Sequence, residues 1–79
     1  MNRMVLKIAT PEYVIYYYYP EGKGEPGEIR MDIGAEEPVV LIRSEEDTVL
    51  DYYTHKASNA VKERVNKRTL PMEFFNAWH

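Results

Sequence analysis

The sequence predicts an α+β fold in two layers: a four-stranded antiparallel sheet covered by one long helix, with a short second helix at the C-terminus. Three observations predict it. Apolar residues alternate or run in short blocks as far as residue 42, and from about residue 45 they recur three and four apart. Those are the periods of strands and of helices. Strands come first and helices after, the order of an antiparallel sheet with its helices on one side and not of alternating βαβ units. Finally, the stretch Glu12–Pro20 (EYVIYYYYP) has β-branched or aromatic side chains at seven of its first eight positions, the types that suit a pleated, half-buried surface.

Met4, Leu6 and Ile8 alternate with Val5, Lys7 and Ala9, which reads as a first strand. Thr10-Pro11 ends it, because proline lacks a ladder donor and pins the backbone for a turn. The tyrosine strand follows at once, so the two form an antiparallel hairpin with the tyrosine strand inside the sheet. Alternation puts Val14, Tyr16 and Tyr18 on one of its faces and Tyr13, Ile15, Tyr17 and Tyr19 on the other. Pro20–Gly27 (PEGKGEPG) is a mobile loop with nothing in it to bury. Glu28–Ile33 alternates again, with Ile29, Met31 and Ile33 inward, and Val39–Ile42 is a short apolar run of strand length.

Ser44-Glu45-Glu46-Asp47 reads as a helix start, since the serine hydroxyl can cap a free amide and carboxylates suit the positive end of the helix dipole. One amphipathic helix is expected from about residue 45 to 67, with Leu50, Tyr53, Ala57, Ala60, Val61 and Val65 on its buried side. Poor helix formers between Thr54 and Asn59 mark its weakest point. Pro71 suits a first helical turn, so Met72–Trp78 is expected to be the short second helix, carrying Phe74, Phe75 and Trp78 as a plug for the core.

Seventy-nine residues make a single domain over 1–79, too small for a second core and marginally stable alone. A hydrophobic share of 44% against 29% charged excludes disorder by composition. Cysteine is absent, which rules out disulfide and thiol chemistry and fits a reducing cytoplasm, the expected location. No run approaches membrane-spanning length. The net charge of −3 is uneven: residues 1–51 hold five basic and eleven acidic side chains, residues 52–79 five basic and two acidic. That surplus is thin for a nucleic-acid protein, which must neutralise several phosphates.

Chemistry-bearing patterns do not survive inspection. Gly22–Gly27 matches G-x-G-x-x-G, but a strand pattern follows it instead of a helix, Pro26 removes an amide, and Glu21, Glu25 and Glu28 would repel phosphate. Asp47, Asp51 and His55 line one helical stripe, where they could hold a divalent ion with His79; a solvated, dipole-matched face explains them as well, and further ligands are missing. Ser44 and Ser58 lie in no nucleophile setting. No catalytic, metal or cofactor residue is assigned.

Two surfaces remain. One face of the tyrosine strand packs on the helix, and the other is left without a cover, so Tyr13, Tyr16, Tyr17, Tyr18 and Tyr19 are the candidates for an interaction surface. Lys62, Arg64, Lys67 and Arg68 are candidates to grip an anionic partner, or the two arginines pair with sheet acids such as Glu28 or Asp32. The expectation is a non-enzymatic protein-interaction or regulatory module that binds through the tyrosine face and self-associates as a homodimer. The alternative is a nucleic-acid-binding accessory protein that uses the basic end of the helix.

Overall fold

A computed structural model describes residues 1–78. The chain is α+β with an antiparallel sheet and one helix, in the order β1 (Asn2–Ala9), β2 (Tyr13–Pro20), β3 (Gly27–Asp32), β4 (Val39–Ile42), α1 (Tyr52–Asn66) and β5 (Glu73–Asn76). The sheet order is β4-β3-β2-β1-β5, so the tyrosine strand lies at its centre. Two expectations need correction: among the described residues the sheet has five strands, not four, and there is one helix, not two.

The second correction explains the first. Phe74 and Phe75 were expected in a short helix, but β1 would then carry an unpaired ladder edge. A seven-residue helix is too short to hold itself together, whereas an extended segment satisfies that edge. Residues Asn76 to Glu73 pair with Asn2 to Val5, and the Leu6 amide donates to the Met72 carbonyl at 2.8 Å. Strand alternation then splits the aromatics. Phe74 turns to the core, edge-on to Tyr16 at 5.5 Å between centroids, while Phe75 faces the other way. Trp78 sits beside Tyr52 and Tyr53.

The helix is shorter than its periodicity implied. Residues 44–51 are turns, with Leu50 and Asp51 in left-handed backbone (φ 48° and 63°). Ser44 does not cap a helix; its hydroxyl donates to the Glu25 carbonyl and accepts from the Glu46 amide. That contact pins the glycine loop, which is not free: Gly24 also lies against the Glu46 side chain. The carboxylate that does cap the helix is Asp47, folded back so that Oδ2 accepts the Thr54 amide at 2.8 Å and its hydroxyl at 2.7 Å. With the Thr54 hydroxyl satisfied in this way, the helix passes unbroken through 54–59.

The core lies between α1 and the inner face of the sheet. Met4, Val14, Tyr16, Tyr18, Ile29 and Met31 meet Ala57, Val61 and Val65, with Leu6, Leu70 and Phe74 at the margin. Two buried phenols need partners for their hydroxyls. Tyr16 donates to the Pro71 carbonyl at 2.6 Å. Tyr18 lies 2.6 Å from the Thr54 hydroxyl and accepts the Ser44 amide at 2.9 Å. An ionised carboxylate only accepts, so the Thr54 proton points to Asp47 and the Tyr18 proton points to Thr54. The result is one directed chain: Ser44 N–H to Tyr18, Tyr18 to Thr54, Thr54 to Asp47.

Burial on its own would raise the Asp47 pKa, but the Thr54 hydroxyl and the amides of Thr54, Val49 and Tyr53 outweigh it, so the carboxyl titrates below its ordinary range. Its stabilisation is therefore complete above the unfolded carboxylate value of about 3.9 and is lost as pH falls through the lower folded value. Asp47→Asn should cost about 1.5–3 kcal/mol at neutral pH. It should also flatten the acid limb of stability, as read by urea unfolding at neutral pH and near pH 3. An equal acid sensitivity in both proteins would contradict the assignment.

Gly27 pairs with Tyr18 across β2 and β3, and a methyl at Gly27 would overlap the Tyr18 ring. Gly27→Ala should therefore destabilise by about 1–3 kcal/mol, while Gly34→Ala, with open space around it, should show only the cost of its positive φ. Matched thermal melts distinguish the two.

Candidate functional site

Side chains of β2 alternate across the sheet, and the structure decides which set faces the helix. Val14, Tyr16 and Tyr18 do, all at 0% exposure. Tyr16 and Tyr18 therefore leave the candidate surface: they belong to the core, and no partner can reach them. Tyr13, Tyr17 and Tyr19 remain half-buried on the opposite face, around a buried Ile15.

That opposite face has no second layer of chain among the described residues. Its cover comes from neighbouring strands, one cation to each phenol. Arg3, directly across from Tyr19, lies 5.2 Å from its ring centroid. Lys7 lies 5.4 Å from Tyr17, and Arg30 lies 4.0 Å from Tyr13. Alternation from Arg3 places Lys7 on this side, just ahead of the register shift in β1 between Leu6 and Ile8. Each cation also holds an acid: Arg3 with Glu73 at 2.6 Å, Lys7 with Glu28 at 2.7 Å, Arg30 with Asp32 at 2.7 Å. The hydrogen bond to Glu28 raises the Lys7 pKa and keeps the ammonium charged. Exposed cation–π contacts contribute about 0.5–1 kcal/mol each and exposed ion pairs less, so the lattice of charges holds the rings in place without sealing them.

The basic candidates are scattered. Lys62 pairs with Glu37 at 2.6 Å and Lys67 with Glu63 at 3.2 Å. Arg64 lies over the Phe74 ring at 4.4 Å. Arg68 is exposed at the helix end with φ 56°. Neither arginine reaches Glu28 or Asp32, which Lys7 and Arg30 occupy. The Asp47–Asp51–His55 stripe is also dispersed: Asp47 is buried in the Thr54 contact, Asp51 pairs with Arg43, and His55 lies 3.4 Å from Asn59. Among the described residues no group of three or more His, Cys, Asp or Glu is placed to hold a metal; His79 lies outside them. The glycine loop leads into β3, as its strand pattern implied.

A second exposed feature was not anticipated. All four side chains of β4 are apolar and exposed: Val39 58%, Val40 42%, Leu41 46% and Ile42 50%. On the helix side a groove of about 340 Å3 opens beside Val40, walled by Arg43, Asp51, Thr54, His55 and Ser58. Next to it Leu50 is 97% exposed on its left-handed turn, and that turn is tied to the end of β4 by Arg43 contacts to Asp51 and to the Asp47 carbonyl. An apolar run without alternation was the available signal, since a strand covered on neither face shows no period either.

No helix among the described residues is long and apolar enough to cross a membrane. Comparison with family models, curated proteins and solved structures finds no match to this chain.

The two tyrosine sets should differ chemically. Treatment with a tyrosine-selective nitrating reagent, followed by peptide mapping, should label Tyr13, Tyr17 and Tyr19 well before Tyr16 and Tyr18. Burial also raises the Tyr16 pKa, with Arg64 opposing it in part, which slows attack on its phenolate further. Equal labelling of all five would contradict the orientation of β2.

Proposed function

We propose that this chain is a non-enzymatic protein-interaction module that presents the open face of its sheet and associates with itself. The observation that carries the reading is the aromatic floor of that face, Tyr13, Tyr17 and Tyr19, with only side chains of adjacent strands over it. Tyrosine and arginine are enriched where proteins meet, because they supply wide contact area with few rotatable bonds per contact and a polar rim. Two of the ion pairs around the rings, Arg3–Glu73 and Arg30–Asp32, are solvent-exposed on both sides and cheap to exchange, so a partner's acids and apolar groups can replace Glu73 or Asp32 at little cost. Association also suits a chain of this size, which gains stability from any contact made only by the folded state.

The directions in which the side-chain pKa values are shifted fit the non-enzymatic side of the reading. Shifts at Asp47 and Glu21 are downward, and those at Lys7, Arg43, Tyr16 and Tyr53 are upward. Each moves away from neutrality, the opposite of what general acid–base catalysis requires. The nucleic-acid alternative has less support, because its cations are scattered and largely balanced: Lys62 and Lys67 sit beside Glu37 and Glu63, and Arg64 lies over Phe74, which leaves little local excess of positive charge.

Sedimentation velocity and equilibrium from low to high micromolar protein test the proposal. The expected result is a concentration-dependent shift from monomer toward dimer. A monomer throughout would overturn it, and salt-sensitive retention on single-stranded DNA or RNA would favour the alternative.

A further inference from the structure

The free edge of β4 and the cleft beside it carry the inference furthest. We infer that they form a docking site for an extended, lysine- or arginine-bearing segment of another protein, which adds to the sheet as a strand and lays one basic side chain in the cleft. The inference goes beyond the self-association reading, which concerns the open face, and stands or falls without it.

β4 pairs with β3 alone. No other backbone hydrogen bond reaches Val39–Ile42 among the described residues, so one side of its ladder is open. Its side chains are apolar and exposed. An edge of this kind is a template for strand addition. Pro38 before it and the register shift between Val40 and Ile42 restrict any added strand to a few paired residues. The same shift puts Ile42 on the outer side, across from Glu28, while Val40 lines the groove on the helix side.

On that outer side lies a cleft of about 440 Å3. Tyr17, Pro26 and Ile42 give it an apolar lining, and Glu25, Glu28, Glu45 and Arg43 give it charge. Arg43 is committed to Asp51, and Glu28 to Lys7. Glu25 and Glu45 are exposed and carry no ion pair among the described residues. The cleft therefore keeps two carboxylates without a counter-charge. Apolar walls beside unbalanced carboxylates match one kind of side chain, a hydrocarbon stem that ends in a cation. Lys7 already makes that match from the neighbouring strand: its ammonium lies 5.4 Å from the Tyr17 ring centroid and 2.7 Å from Glu28.

The charge of the surrounding chain makes the same selection. Residues 21–51 hold ten acidic and three basic side chains, and the rest of the chain holds three acidic and seven basic. Both approaches to the edge are acidic, Glu36 and Glu37 before β4 and Glu45 and Glu46 after it. Of these four only Glu37 is in an ion pair, with Lys62. Two copies paired antiparallel through β4 would bring these acidic ends toward each other. A second copy is therefore disfavoured at this edge, and a cationic strand is drawn to it. In strand addition the main chain supplies affinity and side-chain pockets supply choice. A contact this short buries less than a standard interface, so binding is expected to be weak and to fall as salt rises.

The probe is a fluorescently labelled octapeptide of alternating lysine and valine, mixed with dilute protein and read by anisotropy at low and moderate salt. It should bind at least tenfold more tightly than the same peptide with glutamate for lysine. It should also bind at least tenfold more tightly than a lysine peptide N-methylated at every residue, which keeps the charge but cannot extend the ladder. Glu25→Gln combined with Glu45→Gln, at exposed side chains, should weaken binding about fivefold. Glu12→Gln, at the β1–β2 turn, should leave it unchanged. Amide NMR shifts should concentrate at Val39–Ile42 and around Glu25 and Tyr17. No binding at low salt, equal binding of the N-methylated peptide, indifference to the Glu25 and Glu45 changes, or shifts confined to other surfaces would each overturn the inference. A peptide of residues 36–45 of this chain that binds more tightly than the lysine peptide would overturn it in favour of a second copy. Sedimentation reads self-association separately: a monomer that binds the peptide defeats only the earlier reading, and a dimer that ignores it defeats only this one.

Discussion

The hydroxyl of Tyr18 is the constraint from which most of this structure follows. A phenol on the inner face of the central strand is 0% exposed, and its polar end must find partners or cost a few kcal/mol. It finds them in Thr54 and the Ser44 amide, and Thr54 in turn requires Asp47. That chain ties together the centre of the sheet, the segment after β4 and the first turn of the helix. It also dictates where the helix can begin. With Asp47 folded inward as acceptor for Thr54, the backbone between them cannot be helical, and it turns through Leu50 and Asp51 in left-handed conformations that cost energy at non-glycine positions. The strain is held by the capped amide of Thr54, the Asp51–Arg43 pair and the buried carboxylate itself.

The outer face of the sheet shows the opposite solution to the same problem. Among the described residues no segment covers it, and its rings are covered by the side chains that alternation already places there. Arg3, Lys7 and Arg30 lay their aliphatic stems and charges against Tyr19, Tyr17 and Tyr13, and Glu73, Glu28 and Asp32 balance them. Local neutrality explains why a face rich in cations and aromatics lies in an acidic half of the chain. It also separates this surface from a phosphate-binding one, where the cations would be in excess.

The strands were legible where period two was clean. Tyr13–Pro20 at the sheet centre, the Pro11 turn and the buried Ala57, Val61 and Val65 of the helix all follow from spacing alone. The helix start was misread because Ser44-Glu45-Glu46-Asp47 has the composition of a cap, and composition does not show that Asp47 will reach seven residues ahead to Thr54 instead of three. Phe74 and Phe75 were misread because local preference says nothing of the unpaired β1 edge, which exists only once the sheet has formed. The tyrosine surface was half legible: alternation separates Tyr13, Tyr17 and Tyr19 from Tyr16 and Tyr18, but only the packing of α1 decides which set is buried.

Helix length connects the Tyr18 constraint to the exposed edge. Five strands at about 4.8 Å spacing make a sheet about 19 Å wide between its edge strands, and fifteen helical residues span about 22 Å. A helix of that length laid square across the sheet would reach both edges, but α1 must also deliver the chain to β5, at the far edge from β4. Its buried residues accordingly meet β1, β2 and β3, and the turn that replaces its expected first two turns sits at the end of β4 without lying over it. The apolar side chains of β4 are thus uncovered on the helix side by the same capping geometry that buries Tyr18, and on the outer side no described residue forms a further layer over them. Restoring helix from residue 45 would cover Val40 only by taking Asp47 from Thr54. The bare edge is a consequence of how the core is satisfied, and among the described residues no segment lies over it.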